Sequence, residues 1–177
     1  FQAEAGIRDE DPLLEFRRVL FRSRVAVSAA ARDMAARYVG GSFEVLYYGI
    51  DIDTYRRPHL QRERHPTILF FGRHEPRKGL ETLLDAFLLL PDDFRLWVCS
   101  DGPNIADVRK RYTRDPHVAE RIEWLGQVSE TEKIERLARC TVFCAPSLHG
   151  ESFGLVLLEA MAAQTPVVAS DIDGYNI

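Results

Sequence analysis

Nothing in the 177 residues approaches the roughly 20 consecutive apolar positions that a membrane-crossing helix needs. The opening FQAEAGIRDEDP also lacks the basic start and apolar run of a secretory leader. Basic charge is not in excess. Against 27 Asp and Glu stand 23 Lys and Arg, a net charge of −4, where a nucleic-acid binder would carry a strongly basic face. Cysteine is scarce: there are 3, at Cys99, Cys140 and Cys144. The C-x3-C pair at 140 and 144 has no second pair or His cluster after it, so it reads as buried thiols of a reducing cytoplasm rather than a metal site. There is no internal repeat and no low-complexity tract. An initiator Met is missing, and SDIDGYNI stops just past an expected strand, so the sequence reads as a piece of a longer protein.

What is present suits a packed globular chain, with 46% hydrophobic and 28% charged residues. The length allows one domain, or one domain plus part of another. Residues 1–23 are the least legible. EFRRVLFRS alternates basic and apolar residues, a pattern open to a short amphipathic helix or to a junction sequence foreign to the fold. From Arg24 the pattern sharpens. RVAVS is a short strand, and Ser28 caps an Ala-rich helix to about Tyr38, stopped at Gly40-Gly41. FEVLYYG, 43–49, is a second strand. The polar, Pro-bounded stretch 51–66 reads as a linker.

Strands and helices then alternate. TILFFG (67–72), FRLWVCS (94–100), RIEWLG (121–126), TVFCA (141–145) and PVVAS (166–170) are expected strands. Lys78–Leu90, Asn104–Thr113, a helix capped by Ser129 with Glu132 three residues on, and Leu155–Ala163 are expected helices. Strands that are apolar throughout, each followed by a helix, predict an α/β fold: a Rossmann-like doubly wound parallel sheet. Such sheets bind ligands outside the carboxyl ends of their strands. That rim would carry 72–79, 126–133 and 146–155.

GRHEPRKG, 72–79, follows a strand and opens a helix with Arg73, Arg77 and Lys78 within it. Cations at a helix start oppose its dipole unless an anion is held between them. The spacing matches neither the nucleoside-triphosphate loop nor the dinucleotide fingerprint. A solvated basic turn is the alternative. Across the rim, GESFGLVLLEAMAA places Gly150 and Gly154 at the mouth of an apolar helix, whose first amides offer a second anion site. A diphosphate between Arg73, Lys78 and those amides fits both. Glu159 lies within the apolar helix, where an unpaired charge costs several kcal/mol. It is suited to accept hydrogen bonds from a polyhydroxyl such as ribose, the alternative being a salt bridge to an Arg. Glu151 stands nearer a group attached beyond the phosphates. His149 and His74 read as loop histidines, and Phe153 as core with only its backbone in play.

GRHEPRKG, LGQVSETEK and CAPSLHGESFGLVLLEAMAAQTPVVASDIDG together resemble the donor-binding domain of GT-B retaining glycosyltransferases, whose E-x7-E hallmark falls on Glu151 and Glu159. Among these the likeness is greatest to phosphatidylinositol mannosyltransferases, and it covers roughly residues 24–176. It implies that 24–50 end an acceptor domain, 51–66 link the domains, and 67–177 bind the nucleotide sugar. Most of the acceptor domain and the last part of the donor domain are absent on this reading. The fragment alone is therefore expected to be inactive. The resemblance assigns Arg73 and Lys78 to the donor diphosphate, and Val128 and Lys133 to the base pocket. It gives Glu159 the ribose, Glu151 the transferred sugar, and the amides of Phe153, Gly154 and Leu155 the distal phosphate. Gly72 would permit close packing at the strand end. Two departures stand out: Tyr48-Gly49 replaces an Asn-Gly turn, and the loop before Arg77 is one residue shorter.

The resemblance further implies hexose transfer to a hydroxyl acceptor with retention of configuration. GDP-mannose would be the donor and phosphatidylinositol the acceptor. No cofactor or metal is expected, since cationic side chains stabilise the leaving diphosphate and no Asp-x-Asp stands on the rim. Glu151 is cast as a positioner of the sugar rather than a nucleophile. The expected location is cytoplasmic, with peripheral contact at the inner face of the membrane through the acceptor domain. No nucleic-acid partner is expected. The alternatives are a UDP-sugar with a non-lipid acceptor, and a non-catalytic nucleotide-binding module.

Overall fold

The computed structural model describes residues 24–176; the expectation for EFRRVLFRS lies outside the described residues. The chain divides into two compact units, Phe1–Tyr48 and Gly49–Ile177.

In the first unit, β1 (Val25–Ala26) and β2 (Glu44–Val45) pair in parallel around α1 (Ala29–Val39). Ser28 caps α1 by accepting from the Ala31 amide at 3.0 Å, and Gly40 ends it at φ 71°. The strand expected over 43–49 shrinks to Glu44–Val45, and Leu46, Tyr47 and Tyr48 are exposed.

The second unit holds a five-stranded parallel sheet in the order β5-β4-β3-β6-β7. Its strands are β3 (Thr67–Phe71), β4 (Arg95–Cys99), β5 (Ile122–Trp124), β6 (Val142–Ala145) and β7 (Val167–Ala169). Its helices are α2 (Ile52–Tyr55), α3 (Leu80–Phe87), α4 (Ile105–Tyr112), α5 (Pro116–Ala119), α6 (Glu130–Arg139) and α7 (Leu155–Ala162). The doubly wound α/β expectation holds.

Period-2 alternation along β3 builds two cores. Leu69 faces one with Leu137, Phe143, Leu157 and Ala160, from α6, β6 and α7. Ile68 and Phe70 face the other with Leu80, Leu84 and Phe87 of α3 and Val108 of α4. Each such side chain, fully enclosed, contributes about 1.5–3 kcal/mol. Leu80, Leu83, Leu84 and Phe87 are buried at helical spacing, so α3 needs no other reason to dock. Arg121 is buried as well, but as a staple: its guanidinium donates to the carbonyls of Leu90, Pro91 and Phe94.

Three further expectations change. The helix expected to begin at Lys78 starts at Leu80, because Pro76–Lys78 form a 3-10 turn closed by Gly79 in the left-handed region at φ 70°. The apolar α7 is not buried all round, since Met161 is 58% exposed. The segment 51–66, expected as a linker, lies within the second unit and packs on it. Arg62 donates to the carbonyls of Cys140 and Gln164, the Glu63 amide donates to the Arg139 carbonyl, and Tyr55 is buried.

Candidate functional site

The strand order places β3 between β4 and β6, so the chain leaves β3 to one side and returns through β6 on the other. This is the switch point where open α/β sheets leave a crevice at their carboxyl edge. The loop after β3, 72–79, and the loop after β6, 146–154, meet there. The Leu148 amide donates to the Arg77 carbonyl at 2.7 Å, and Arg77 Nη1 donates to the Gly150 carbonyl at 3.1 Å. A Cβ on Gly79 would run into the Pro146 carbonyl, at a φ that side chains rarely adopt.

Glu151 is the centre of this junction. Its Oε1 accepts from Lys78 Nζ at 2.6 Å, Ser147 Oγ at 3.0 Å and Arg77 Nη1 at 3.2 Å. The Glu151 side chain is 12% exposed, unlike an ordinary loop glutamate. Ser147 in turn bonds the Tyr175 hydroxyl at 2.9 Å. Burial raises the Tyr175 pKa, so the phenol stays protonated. A Cβ on Gly174 would strike the Glu151 carbonyl, so the chain after β7 closes on the same loop.

Of the two cations expected to act together, Lys78 joins this cluster and Arg73 does not. The Arg73 side chain is 79% exposed and pairs with Glu75 at 3.2 Å. Arg77, read only as part of the basic turn, takes the place beside Glu151. Arg73 instead lines a 380 Å³ cleft with Phe71, Gly72, Ser100, Gln127 and Val128. Val128, assigned to the base pocket, lines this same cleft. The buried Ser100 Oγ has no hydrogen-bond partner among the described residues. Gly72 borders both places. A Cβ there would meet Phe70 at 3.6 Å and Lys78 Cδ at 3.9 Å, ordinary contacts, so close packing does not require this glycine. The tight approaches at this rim fall on Gly79, Gly154 and Gly174.

Glu159 projects from α7 and is buried. Its Oε1 accepts from Lys133 Nζ at 2.9 Å and from the Tyr55 hydroxyl at 3.0 Å. The salt-bridge alternative named an arginine; the partner is a lysine. Lys133, assigned to the base pocket, is buried against Glu159 and Glu130, at 2.9 and 2.6 Å. Its ammonium also lies 5.4 Å from the Phe71 ring centre and 5.9 Å from that of Tyr55. Burial pulls the Lys133 pKa down, but its bonds to Glu130 and Glu159 outweigh that, and the group ends above its ordinary value. Burial, then the bond to Glu159, also raises the Tyr55 pKa.

The α7 helix starts at Leu155 behind Gly154, which is left-handed at φ 74° and offers no side-chain cap. A Cβ on Gly154 would meet the Tyr175 ring at 2.6 Å, so glycine is required there. Phe153 is core. His149 is exposed, and among the described residues His74 Nδ1 is buried without a partner. Also among the described residues, no three His, Cys, Asp or Glu cluster as a metal site, and no helix is long and apolar enough to cross a membrane. Lys78 and Arg77 thus converge on Glu151 near the N-terminus of α7, and Glu151 and Glu159 are both largely enclosed carboxylates.

Comparison with known proteins identifies relatives of the chain. Residues 51–176 match the family model described as glycosyl transferases group 1. Phosphatidyl-myo-inositol mannosyltransferase of Mycobacterium leprae is 39% identical over 164 residues, covering 86% of this chain and 42% of that protein. GDP-mannose-dependent alpha-(1-6)-phosphatidylinositol monomannoside mannosyltransferase of Mycobacterium tuberculosis is 31% identical, covering 84% and 43%. The chain thus spans about two fifths of the length of these curated relatives. The solved structure of Anabaena HepE in complex with UDP-glucose superposes with a TM-score of 0.74 at 24% identity, over 85% of this chain and 45% of that one. That likeness is one of fold, the GT-B arrangement.

Proposed function

The chain belongs to the glycosyl transferases group 1 family, and from that premise we propose that it serves to move a hexose from a nucleotide sugar to a hydroxyl acceptor. The donor in this reading is GDP-mannose and the acceptor phosphatidylinositol, in keeping with the names of the mycobacterial relatives. The observation that carries it is the convergence of Lys78, Arg77 and Glu151 at the switch point, beside the N-terminus of α7.

As the glycosidic bond breaks, negative charge builds on the distal phosphate. Lys78, Arg77 and the first amides of α7, with those of Phe153, Gly154 and Leu155 foremost, stabilise it as it develops. Arg73, on the cleft wall, reaches the diphosphate from the nucleoside side, with Gly72 beneath it and Val128 against the base. Glu159, held by Lys133 and Tyr55, accepts from the ribose hydroxyls. Glu151 orients the sugar, and the acceptor hydroxyl attacks from the face the diphosphate leaves, which retains configuration. Cationic side chains supply the charge that a divalent metal supplies elsewhere. Residues 24–50 belong to the acceptor side and 67–177 to the donor side. The protein works in the cytoplasm, against the inner membrane face where a lipid acceptor is found.

The test is transfer by the intact protein from radiolabelled GDP-mannose or UDP-glucose to phosphatidylinositol vesicles. Labelled lipid from GDP-mannose alone, with the α configuration, is the expected result. Transfer from UDP-glucose to a soluble acceptor would replace donor and acceptor both. GDP binding with no transfer to any acceptor would leave a binding module and overturn the proposal.

A further inference from the structure

Glu159 is a buried carboxylate whose two known donors both fall on one oxygen. Lys133 Nζ and the Tyr55 hydroxyl bond Oε1, and Oε2 accepts no hydrogen bond among the described residues. Two donors on one oxygen fix the rotation of the carboxylate and leave the other oxygen to a ligand. They are not equivalent. Lys133 divides its ammonium between Glu159 and Glu130, and the Glu130 bond is the shorter, 2.6 against 2.9 Å. Tyr55 is set differently, on a short helix whose start is closed by Asp51, which accepts from the Asp53 amide and from Thr54 Oγ1. Its ring is buried in the core formed by Leu69, Leu137 and Leu157. That placement brings the hydroxyl to 3.0 Å from Glu159 Oε1.

We propose that Tyr55 is a positioning residue for donor recognition: its hydroxyl, acting through Glu159 Oε1, turns Glu159 Oε2 toward the ribose hydroxyls of the nucleotide. The inference rests on the ribose role of Glu159 given above and adds a residue from a stretch with no motif. A phenol suits the task better than a second ammonium. It donates one directional bond, adds no charge to a pocket already holding Lys133, and stays protonated because burial and Glu159 raise its pKa. A packing role alone would need only the ring.

The experiment is titration calorimetry of the intact protein, wild type and Tyr55→Phe, with GDP and with 2′,3′-dideoxy-GDP. The wild type prefers GDP. In Tyr55→Phe, GDP binds about fivefold more weakly, part of the worth of one charge-assisted hydrogen bond, because Lys133 remains. Binding of dideoxy-GDP is unchanged, so the preference shrinks. A variant that keeps the wild-type preference overturns the inference and leaves the ribose role of Glu159 standing. A wild type with no preference sinks that role itself, and this inference with it. Should the variant fail to fold, 3-fluorotyrosine at position 55 keeps ring and hydroxyl. Its fluorine resonance should move with GDP and not with pyrophosphate. The same response to both, or to neither, counts against the inference.

Discussion

Glu151→Gln should tighten binding of a nucleoside diphosphate while it slows transfer. Lys78 and Arg77, the cations proposed for the diphosphate, already hold Glu151 Oε1 at 2.6 and 3.2 Å. These are not loose surface pairs, whose worth is at most about 1 kcal/mol; the three side chains are 22%, 26% and 12% exposed. A diphosphate must share those cations with a carboxylate of its own sign. Two such charges about 5 Å apart repel by about 3 kcal/mol at an effective dielectric constant of about 20. Counter-ions and the shared cations cut this to about 1.4 kcal/mol, or tenfold in affinity. Glutamine keeps the shape and an accepting oxygen but not the charge. Calorimetry should therefore give about tenfold tighter GDP binding for Glu151→Gln, a gain that narrows as salt rises. Turnover should drop by about a hundredfold or more, because the sugar loses the carboxylate that orients it. GDP binding that is unchanged or weaker in the variant would refute the competition described here.

Lys78→Ala should cost about 3 kcal/mol of transition-state stabilisation, read as kcat/KM, and wild-type turnover would exclude its phosphate role. Gly79→Ala should destabilise by about 2–3 kcal/mol, since φ is 70° and the added methyl meets the Pro146 carbonyl. An unchanged urea midpoint would contradict that contact. Burial pushes Cys99 and Cys140 up to about 12 and Cys144 up to about 11, so the thiolate forms only above the ordinary cysteine range. Iodoacetamide at neutral pH should label the native thiols slowly and the urea-unfolded chain fast; equal rates would contradict their burial.

What the sequence discloses is mostly local. Alternation of apolar strand and helix identifies the parallel sheet, because each strand must be covered on both faces, as Leu69 and Phe70 are. Ser28 and Ser129 cap as their positions suggest. The Asp115-Pro116 pair, an N-cap with proline at the first helical position, is a local signal for α5. Glu159 draws notice through the cost of a charge in an apolar helix, yet its partners lie 26 and 104 residues away and leave no periodic trace. Tyr55 is hidden inside a polar stretch for the same reason. Arg73 and Arg77 look alike in a basic turn. Only the 3-10 turn at Pro76–Lys78 decides which of them faces Glu151. Gly79, Gly174 and Ser147 matter through contacts with distant chain, which spacing along the sequence cannot reveal.

The most direct measurement is a crystal structure of the intact protein with GDP-mannose bound. The diphosphate should lie against Lys78 and the N-terminus of α7, the ribose hydroxyls on Glu159 Oε2, and the mannose beside Glu151. A nucleotide seated elsewhere, or one whose ribose leaves Glu159 untouched while Lys78 stays on Glu151, would contradict this placement.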